Sequence, residues 1–381
     1  MMQIKGCGQH YDRLVTIYCI TGGQMRLLSV LVIAMVGFAP LHARASDLVG
    51  LERLIAAWLN SPHGDYHSPS FTYWNEQGQV PENCAMCHSE TGFMDYLGAD
   101  GSAAGAVHSP GVINSPIGCV ACHTEEAHAL DAVTFPSGVE VQDLGASATC
   151  MVCHQGRQSG TQITARLDGL DLDAVSDDLA FVNIHYAASA ATMLGAQAGP
   201  GYHYAGRSYA GRFMHVPGAD TCVACHEPHS TSVETDGCLT CHQGVTDIRD
   251  IRTQHRDFAG TGDRSGGIHS EIIALQGELL AAIRAYAAQV AGTPIAYVSR
   301  HPYFFVDPDG TGDLPVEQAT RDTRYQSWTP RLLKAAYNYQ VAVKDPGGYV
   351  HNPRYMLQIL YDSLQDLSQQ VEVDMSGMAR P

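Results

Sequence analysis

Five copies of a short motif, Cys-x-x-Cys-His, occur in this 381-residue sequence and contain ten of its twelve cysteines. With this spacing, two thiols can form thioether bonds to the vinyl groups on one edge of a haem, and the adjacent histidine can bind the iron. In chain order, from the first to the fifth motif, the cysteines are Cys84, Cys87, Cys119, Cys122, Cys150, Cys153, Cys222, Cys225, Cys238 and Cys241. The motif histidines are His88, His123, His154, His226 and His242. The sequence therefore predicts five covalently attached haem c groups.

Other uses of paired cysteines explain this pattern less well. A disulfide scaffold needs an oxidising compartment, but it does not need a histidine after every second cysteine. A structural zinc site groups Cys and His ligands in fours, and a thioredoxin-like site needs a single motif in a βαβ unit. None of these alternatives predicts five equal units that leave no cysteine over after residue 45.

The second axial ligand of each iron separates an electron carrier from an enzyme, because an iron with two histidine ligands has no position free for a substrate. Twelve histidines outside the motifs follow residue 45, which is more than five irons need. From their local context we expect five of them to bind iron. These are His63, His185, His215, His229 and His351.

The contexts of these histidines differ. His63 lies in a Ser-Pro-His-Gly turn directly after an amphipathic stretch at residues 51–59, where a helix should end. His185 and His215 have apolar neighbours, and a histidine in such surroundings needs a hydrogen-bond partner or a metal. His351 precedes an Asn-Pro pair that is typical of a helix start.

His229 lies only three residues after His226. Three residues span at most about 11 Å when extended, which is too short to pass around a porphyrin edge to its opposite face. If His229 binds iron, it must therefore bind that of a neighbouring haem. His108 and His128 are weaker candidates near the second motif. The remaining histidines are interpreted as surface side chains: His67, His203, His255, His269 and His301.

The charge balance indicates which kinds of partner the protein binds. The sequence has 39 Asp and Glu against 22 Lys and Arg, a formal net charge of −17, without an Arg-rich tract. Nucleic-acid binding is therefore not expected. Haem propionates would add further negative charge, so we expect redox protein partners with a basic docking face. Arginine pairs bidentately with carboxylates, and the arginines expected to hold propionates are Arg157, Arg166, Arg207 and Arg212.

The N-terminal segment is typical of an export signal. An apolar run from Leu27 to Phe38 follows Met25, and Ala43-Arg44-Ala45 provides a small-residue cleavage site. This predicts a signal peptide over residues 1–45, in which Met25 is an alternative start. The apolar run is shorter than the roughly 20 residues that a transmembrane helix needs, so no stable membrane insertion is expected. The sequence predicts a periplasmic or secreted protein.

Composition divides the remaining chain into two parts. Residues 46–255 form the predicted pentahaem-binding region, which is rich in Gly, Pro and Ser and shows little periodicity. In residues 256–381, apolar residues recur at helical spacing. The sequence therefore predicts a mainly α, haem-cored fold with little regular secondary structure in its N-terminal part.

Three helices are predicted in the C-terminal helical region. The first has Ser270 as its N-cap, the second starts at Thr329-Pro330, and the third starts at Asn352-Pro353. We expect the second and third helices to form a helical hairpin against the haem region. Two acidic turns, residues 257–263 and 307–313, could bind calcium, but they lack the bidentate Glu of an EF-hand loop and are interpreted as solvated turns.

Several segments resemble the multihaem c-type cytochromes of bacterial respiratory chains. Besides the paired motifs, these segments are Cys153-His-Gln-Gly-Arg157, Phe181–Tyr186, Ala336–Gln340 and His351–Tyr355. The resemblance implies bis-histidine haems, packed in close pairs, that conduct electrons in the periplasm or outside the cell.

Two alternatives remain open at this point. One is a multihaem oxidoreductase that acts on a small nitrogen or sulfur compound at an iron with an open position. Some related enzymes carry a Cys-x-x-Cys-Lys motif, which this sequence lacks, and after residue 45 its only lysines are Lys334 and Lys344. The other alternative is a subunit of an extracellular cytochrome filament, in which haem ligands would be shared between subunits.

Overall fold

The computed structural model describes residues 41–381. Most of the predicted signal peptide, residues 1–40, lies outside the described residues. Helix α1, Leu41–Leu59, contains the predicted cleavage site after Ala45. Residues 51–381 form one compact unit. No helix in the described part of the chain combines the length and apolar character needed to cross a membrane.

Short helices carry the five motifs. The α-helices of this part are α2 (Pro69–Thr72), α3 (Glu82–His88), α4 (Glu90–Leu97), α5 (Glu125–Ala129), α6 (Ser147–Cys153), α7 (Gly160–Leu167), α8 (Ser189–Leu194) and α9 (Asp236–Cys241). The 3₁₀ turns are Asn75–Gln77, Cys119–Ala121, Gly195–Gln197, Cys222–Ala224 and Ile248–Asp250. Two strands, β1 (Val133–Thr134) and β2 (Glu140–Val141), pair antiparallel. Every motif lies on a helical turn, which brings its two cysteines, three residues apart, to the same side of the backbone.

The C-terminal region contains longer helices. They are α10 (Ile268–Gln289), α11 (Pro330–Lys344), α12 (Gly348–His351) and α13 (Pro353–Leu367). Strands β3 (Ile295–Tyr297) and β4 (Phe304–Val306) form a second antiparallel pair. The predicted starts of α11 and α13 are confirmed, because Thr329 Oγ1 accepts from Leu332 N at 3.2 Å and Asn352 Oδ1 accepts from Tyr355 N at 3.1 Å.

The predicted cap of α10 is wrong. The helix begins at Ile268 with Gly267 as its N-cap, so Ser270 lies within the first turn. The Ser270 hydroxyl donates to the Gly267 carbonyl at 2.7 Å instead of accepting from the backbone. A serine can bond back to a preceding carbonyl as readily as it can cap a helix, and the sequence pattern does not separate these two uses.

A large apolar core holds the C-terminal helices together. Helix α11 is buried along nearly its whole length, and Leu333, Tyr286 and Leu360 belong to one cluster from three helices. Asn338 on α11 donates to Ser363 on α13 at 3.0 Å, and Arg331 pairs with Asp366. As the chain advances along α11, its contacts move back along α13, so the two helices run in opposite directions. Helix α10 packs on the same core.

This core also receives residues of the motif region. Val182, Ile184 and Ala188 are buried in it, and they flank His185 in the sequence. The C-terminal helices therefore fix the loop that presents this histidine. A second, smaller core lies under the motifs themselves and includes Met151 and Val152 of α6.

Candidate haem-binding sites

Each of the five motif histidines has a second histidine ring at a similar distance, between 5.9 and 6.5 Å from centre to centre. The pairs are His88 and His185 at 5.9 Å, His123 and His229 at 6.2 Å, His154 and His63 at 6.2 Å, His226 and His351 at 6.5 Å, and His242 and His215 at 5.9 Å. The structure therefore brings all five histidines selected from the sequence next to a motif histidine, one to each motif.

These distances fit two imidazoles on opposite faces of one iron. A transition metal lies about 2 Å from a histidine nitrogen, and the ring centre lies about 1 Å farther out, so the two ring centres are separated by about 6 Å. All ten motif cysteines are free thiols, which thioether bonds to haem require. The residues at the five motifs thus fit a haem c group.

Two motif histidines are oriented by backbone carbonyl groups. His88 Nδ1 lies 2.9 Å from Ser70 O, and His154 Nδ1 lies 3.2 Å from Ala187 O. When Nδ1 carries a proton and donates it to a carbonyl, Nε2 keeps the lone pair that a metal needs. Both histidines are therefore held with Nε2 as the available ring nitrogen.

Two of the second histidines are oriented by carboxylates. His229 Nδ1 is 3.0 Å from Glu227 Oε1, and His351 Nδ1 is 2.8 Å from Asp345 Oδ1. Sequence reasoning missed both carboxylates. Glu227 could have been found from its place two residues before His229, whereas Asp345 meets His351 only because the turn before α12 folds back. Both contacts fix the orientation of the ring as a ligand.

Burial affects the protonation of the paired histidines. Desolvation lowers the pKa of His63, His88 and His154, and that of His185 falls to about 4 because burial is reinforced by the charge of His88. Burial also acts on His351, but the Asp345 carboxylate outweighs it and raises the pKa. A low pKa keeps an imidazole neutral near pH 7, which is the form that binds metal.

The second motif has two histidines at a suitable distance. The ring of His128 lies 6.0 Å from that of His123, close to the 6.2 Å of His229. His128 lies on α5, five residues after His123, so the distance between ring centres does not separate it from His229. His229 is in addition oriented by the Glu227 carboxylate, which favours it as the second ligand.

A half-buried carboxylate lies at the start of the second motif. Burial raises the pKa of Glu90 on α4, while the nearby backbone amides of Gly118, Val120 and Ala121 oppose this shift. A Cβ atom at residue 118 would overlap the Glu90 carboxylate. Glycine at this position therefore allows the carboxylate to reach the amides that precede and follow Cys119.

The first, third and fourth motifs lie side by side. Cys153 Sγ of the third motif is 3.7 Å from Met86 O, which lies between the two cysteines of the first motif. Cys222 N of the fourth motif donates to Ser147 Oγ on α6 at 3.2 Å. The third motif therefore contacts both the first and the fourth.

The arginines predicted to hold propionates differ in their surroundings. Arg212 has a buried Nε without a hydrogen-bond partner in the described part of the chain. A buried donor of this kind is costly unless it meets an acceptor, and a haem propionate would provide one. Arg207 lies near Asp362, at 3.9 Å, and Arg157 and Arg166 are exposed.

One predicted surface histidine, His203, is half-buried. His203 packs on Tyr209 with ring centres 4.2 Å apart, and its Nε2 lies 2.8 Å from the hydroxyl of buried Tyr355. Burial lowers its pKa to about 4. The neighbouring tyrosines come from α13 and from a loop, so their contact with His203 could not be predicted from its sequence context.

Most of the other histidines outside the five pairs are exposed. His67, His255 and His301 are exposed, and His269 is half-buried against Tyr349. His108 is exposed, with its Nδ1 2.8 Å from Asp95.

The two acidic turns are closed by their own carboxylates. Asp257 accepts backbone N–H groups from Gly260 at 2.7 Å and from Gly262 at 2.6 Å. Asp307 accepts from Gly312 N at 2.7 Å. Among residues 41–381, no group of three or more His, Cys, Asp and Glu side chains is arranged to hold a metal ion by itself. The solvated-turn interpretation stays a prediction, because Asp307 is itself buried.

Comparison with known proteins adds an independent observation. A protein of Geobacter sulfurreducens, "C-type polyheme cytochrome OmcC", is 28% identical over 370 residues. The "C-type polyheme cytochrome OmcB" of the same organism is 26% identical over 378 residues. This chain is similar to polyhaem c-type cytochromes. The aligned parts cover 79% and 81% of this chain but only 44% and 47% of the two relatives.

The similarity to polyhaem cytochromes supports a multihaem c-type cytochrome as the interpretation of the five motifs, and with it haem c as the cofactor. The chain spans less than half the length of these relatives. No protein-family profile matches the chain, and no solved structure matches it.

Proposed function

We propose that this protein is a pentahaem c-type cytochrome that transfers electrons in the periplasm or outside the cell. The observation that carries the proposal is that each of the five motif histidines faces a second histidine at 5.9–6.5 Å. Haem c supplies one-electron exchange at its iron when it is bound. The chain supplies the thiols that attach the haems, two imidazoles for each iron and an apolar scaffold that fixes their positions.

The second histidines favour electron transfer over catalysis. An enzyme acting on a small nitrogen or sulfur compound needs an iron with a free position. Here every motif histidine has a partner ring, and the partners of the second and fourth motifs, His229 and His351, are held by carboxylates. A histidine fixed in this way does not need to reorganise in order to bind.

The same pairs bear on the filament alternative. A filament in which subunits share haem ligands would leave some motif histidines without a partner in their own chain. In this chain all five second histidines come from residues 63–351 of the same molecule. The structure thus offers a complete set of ligands within one chain, which favours a self-contained cytochrome.

The arrangement of motifs suggests an order of electron transfer. Because the third motif contacts the first through Met86 and the fourth through Ser147, its haem would lie between theirs. Electrons that move between the first and fourth sites would therefore pass through the third.

The acidic charge supports a basic partner. With a net charge of −17 before haem propionates are counted, the protein would attract a redox protein whose docking face is basic. Such association weakens as salt rises, because screening shortens the range of attraction between exposed charges.

Haem content and spin state together test the proposal. Intact-mass analysis of the exported protein should show the chain from Ser46 with five haem masses. Electron paramagnetic resonance of the oxidised protein should show only low-spin iron, and carbon monoxide should leave the spectrum of the reduced protein unchanged. Fewer than five haems would remove a motif from the proposal, and one high-spin iron that binds carbon monoxide would favour the oxidoreductase.

A further inference from the structure

Lys344 is a buried cation at the end of α11. Only 5% of the residue is exposed. Its Nζ lies 3.6 Å from the ring centre of Tyr186 and 4.1 Å from that of Tyr303, and the hydroxyls of the two tyrosines are hydrogen-bonded at 2.8 Å. Burial lowers the pKa of Lys344, and the nearby Tyr186 opposes this shift. The aromatic faces and the carbonyl end of the helix also stabilise the ammonium form.

No carboxylate forms an ion pair with Lys344 in the described part of the chain. The neighbouring carboxylate, Asp345, is bound to His351 and to the backbone of Gly347. By contrast Lys334, which is 4% exposed, pairs with Asp366 at 2.9 Å. Cation–π contacts offset only part of the cost of burying a charge that has no counter-charge. Lys344 therefore lacks a negative partner that Lys334 has.

The position of Lys344 indicates where the negative partner comes from. Tyr186 directly follows His185, and their ring centres are 5.6 Å apart. His185 in turn faces His88 of the first motif at 5.9 Å. The ammonium thus lies one aromatic ring away from the proposed second ligand of the first haem. Its positive charge is also one of the causes that lower the pKa of His185, after burial, His88 and Arg157.

We propose that Lys344 is a fixed positive charge that raises the reduction potential of the first haem, and that the propionates of this haem provide its counter-charge. This inference rests on the proposed binding of haem at His88 and His185. A positive charge near a haem favours the reduced state, because reduction adds an electron to the site. Lys344 therefore holds the potential of the first haem above the value it would have without the lysine.

The test compares variants of the full-length holoprotein by spectroelectrochemical titration. Lys344→Met should lower the equilibrium constant for reduction of one haem in five by about tenfold. This corresponds to a shift of its reduction potential by about 59 mV to more negative values. Lys344→Arg keeps the charge and should keep the potential. Lys334→Met is the matched control, because it removes a buried lysine whose partner is a carboxylate of the protein, and it should leave all five potentials in place.

Identification of the shifted haem completes the test. A His185→Met variant changes one ligand of the first haem and so marks its spectrum. Superimposable titrations of Lys344→Met and the wild type would overturn the inference, as would an equal shift in Lys334→Met or a shift in a haem other than the marked one. If Lys344→Met does not fold, Lys344→Gln gives the same comparison with a polar side chain.

The failure of this inference can be distinguished from the failure of the proposed function. Five low-spin haems with unchanged potentials would contradict only the role of Lys344. Fewer than five haems in the wild type, or a high-spin first haem, would contradict the proposed function itself.

Discussion

The motif region and the C-terminal helical region bury their side chains in different ways. In residues 60–255 the α-helices contain four to eight residues, and four of the ten motif cysteines are exposed while the other six are half-buried. In residues 256–381 three helices of 15 to 22 residues share a continuous apolar core. The C-terminal region can therefore order itself by apolar packing, whereas the motif region needs the haems to complete its core.

The difference also assigns separate tasks to the two regions. The motif region provides all five attachment sites and four of the second histidines, and the C-terminal region provides His351. The C-terminal core also holds the loop around His185 through Val182 and Ile184. The C-terminal helical region thus positions ligands for haems that the motif region would attach.

The largest expected effect follows from haem removal. Chain produced without haem attachment should lose protection from hydrogen exchange throughout the motif helices α3, α6 and α9, while α10, α11 and α13 retain it. Mass spectrometry of exchanged peptides measures this difference. Equal protection of both regions in the haem-free chain would contradict the comparison, because it would show that the motif region folds by itself.

Loss of one second histidine should change one site and leave the remainder of the motif region intact. His229→Ala should convert about one haem in five to high-spin iron that binds carbon monoxide, since the second motif would lose its ligand. His128→Ala is the matched control, because this ring lies at a similar distance from His123, and its loss should leave all haems low-spin. The opposite result would assign the second haem to His128.

A core deletion in α13 should lower stability more than the loss of an exposed leucine does. Leu360→Ala removes a fully buried side chain of α13 and should lower the free energy of unfolding by about 2–5 kcal/mol. Leu54→Ala on α1, where the leucine is 43% exposed, should change it by less than about 0.5 kcal/mol. Denaturant titrations of the holoprotein followed by far-ultraviolet circular dichroism would show the difference, and similar losses in both variants would contradict the buried core described for α13.

The smallest expected effect concerns one glycine of the motif region. Gly118→Ala brings a methyl group against the Glu90 carboxylate and should destabilise the second site by about 1–3 kcal/mol. Gly237→Ala on α9 is the control, because a Cβ there meets nothing within 4 Å and alanine favours a helix. Thermal unfolding of the two variants makes the comparison. An unchanged midpoint for Gly118→Ala would show that the Glu90 contact is not tight.

Local patterns predicted several elements correctly. Thr329-Pro330 and Asn352-Pro353 marked the starts of α11 and α13, because a capping side chain and the following proline act within one turn. Ser270 did not mark the start of α10, because its hydroxyl bonds to a preceding carbonyl. His203 was placed at the surface because its partners, Tyr209 and Tyr355, approach it only in the folded chain.

The sequence by itself determined the chemistry, because Cys-x-x-Cys-His places two thiols and an imidazole within five residues and needs no distant part of the chain. It also narrowed the second ligands to a few histidines with turn or apolar contexts. Only the tertiary structure decided which second histidine faces which motif, since these pairs are up to 125 residues apart, as in His226 and His351. The same holds for Lys344, whose separation from any carboxylate depends on the packing of α11 against Tyr186 and Tyr303.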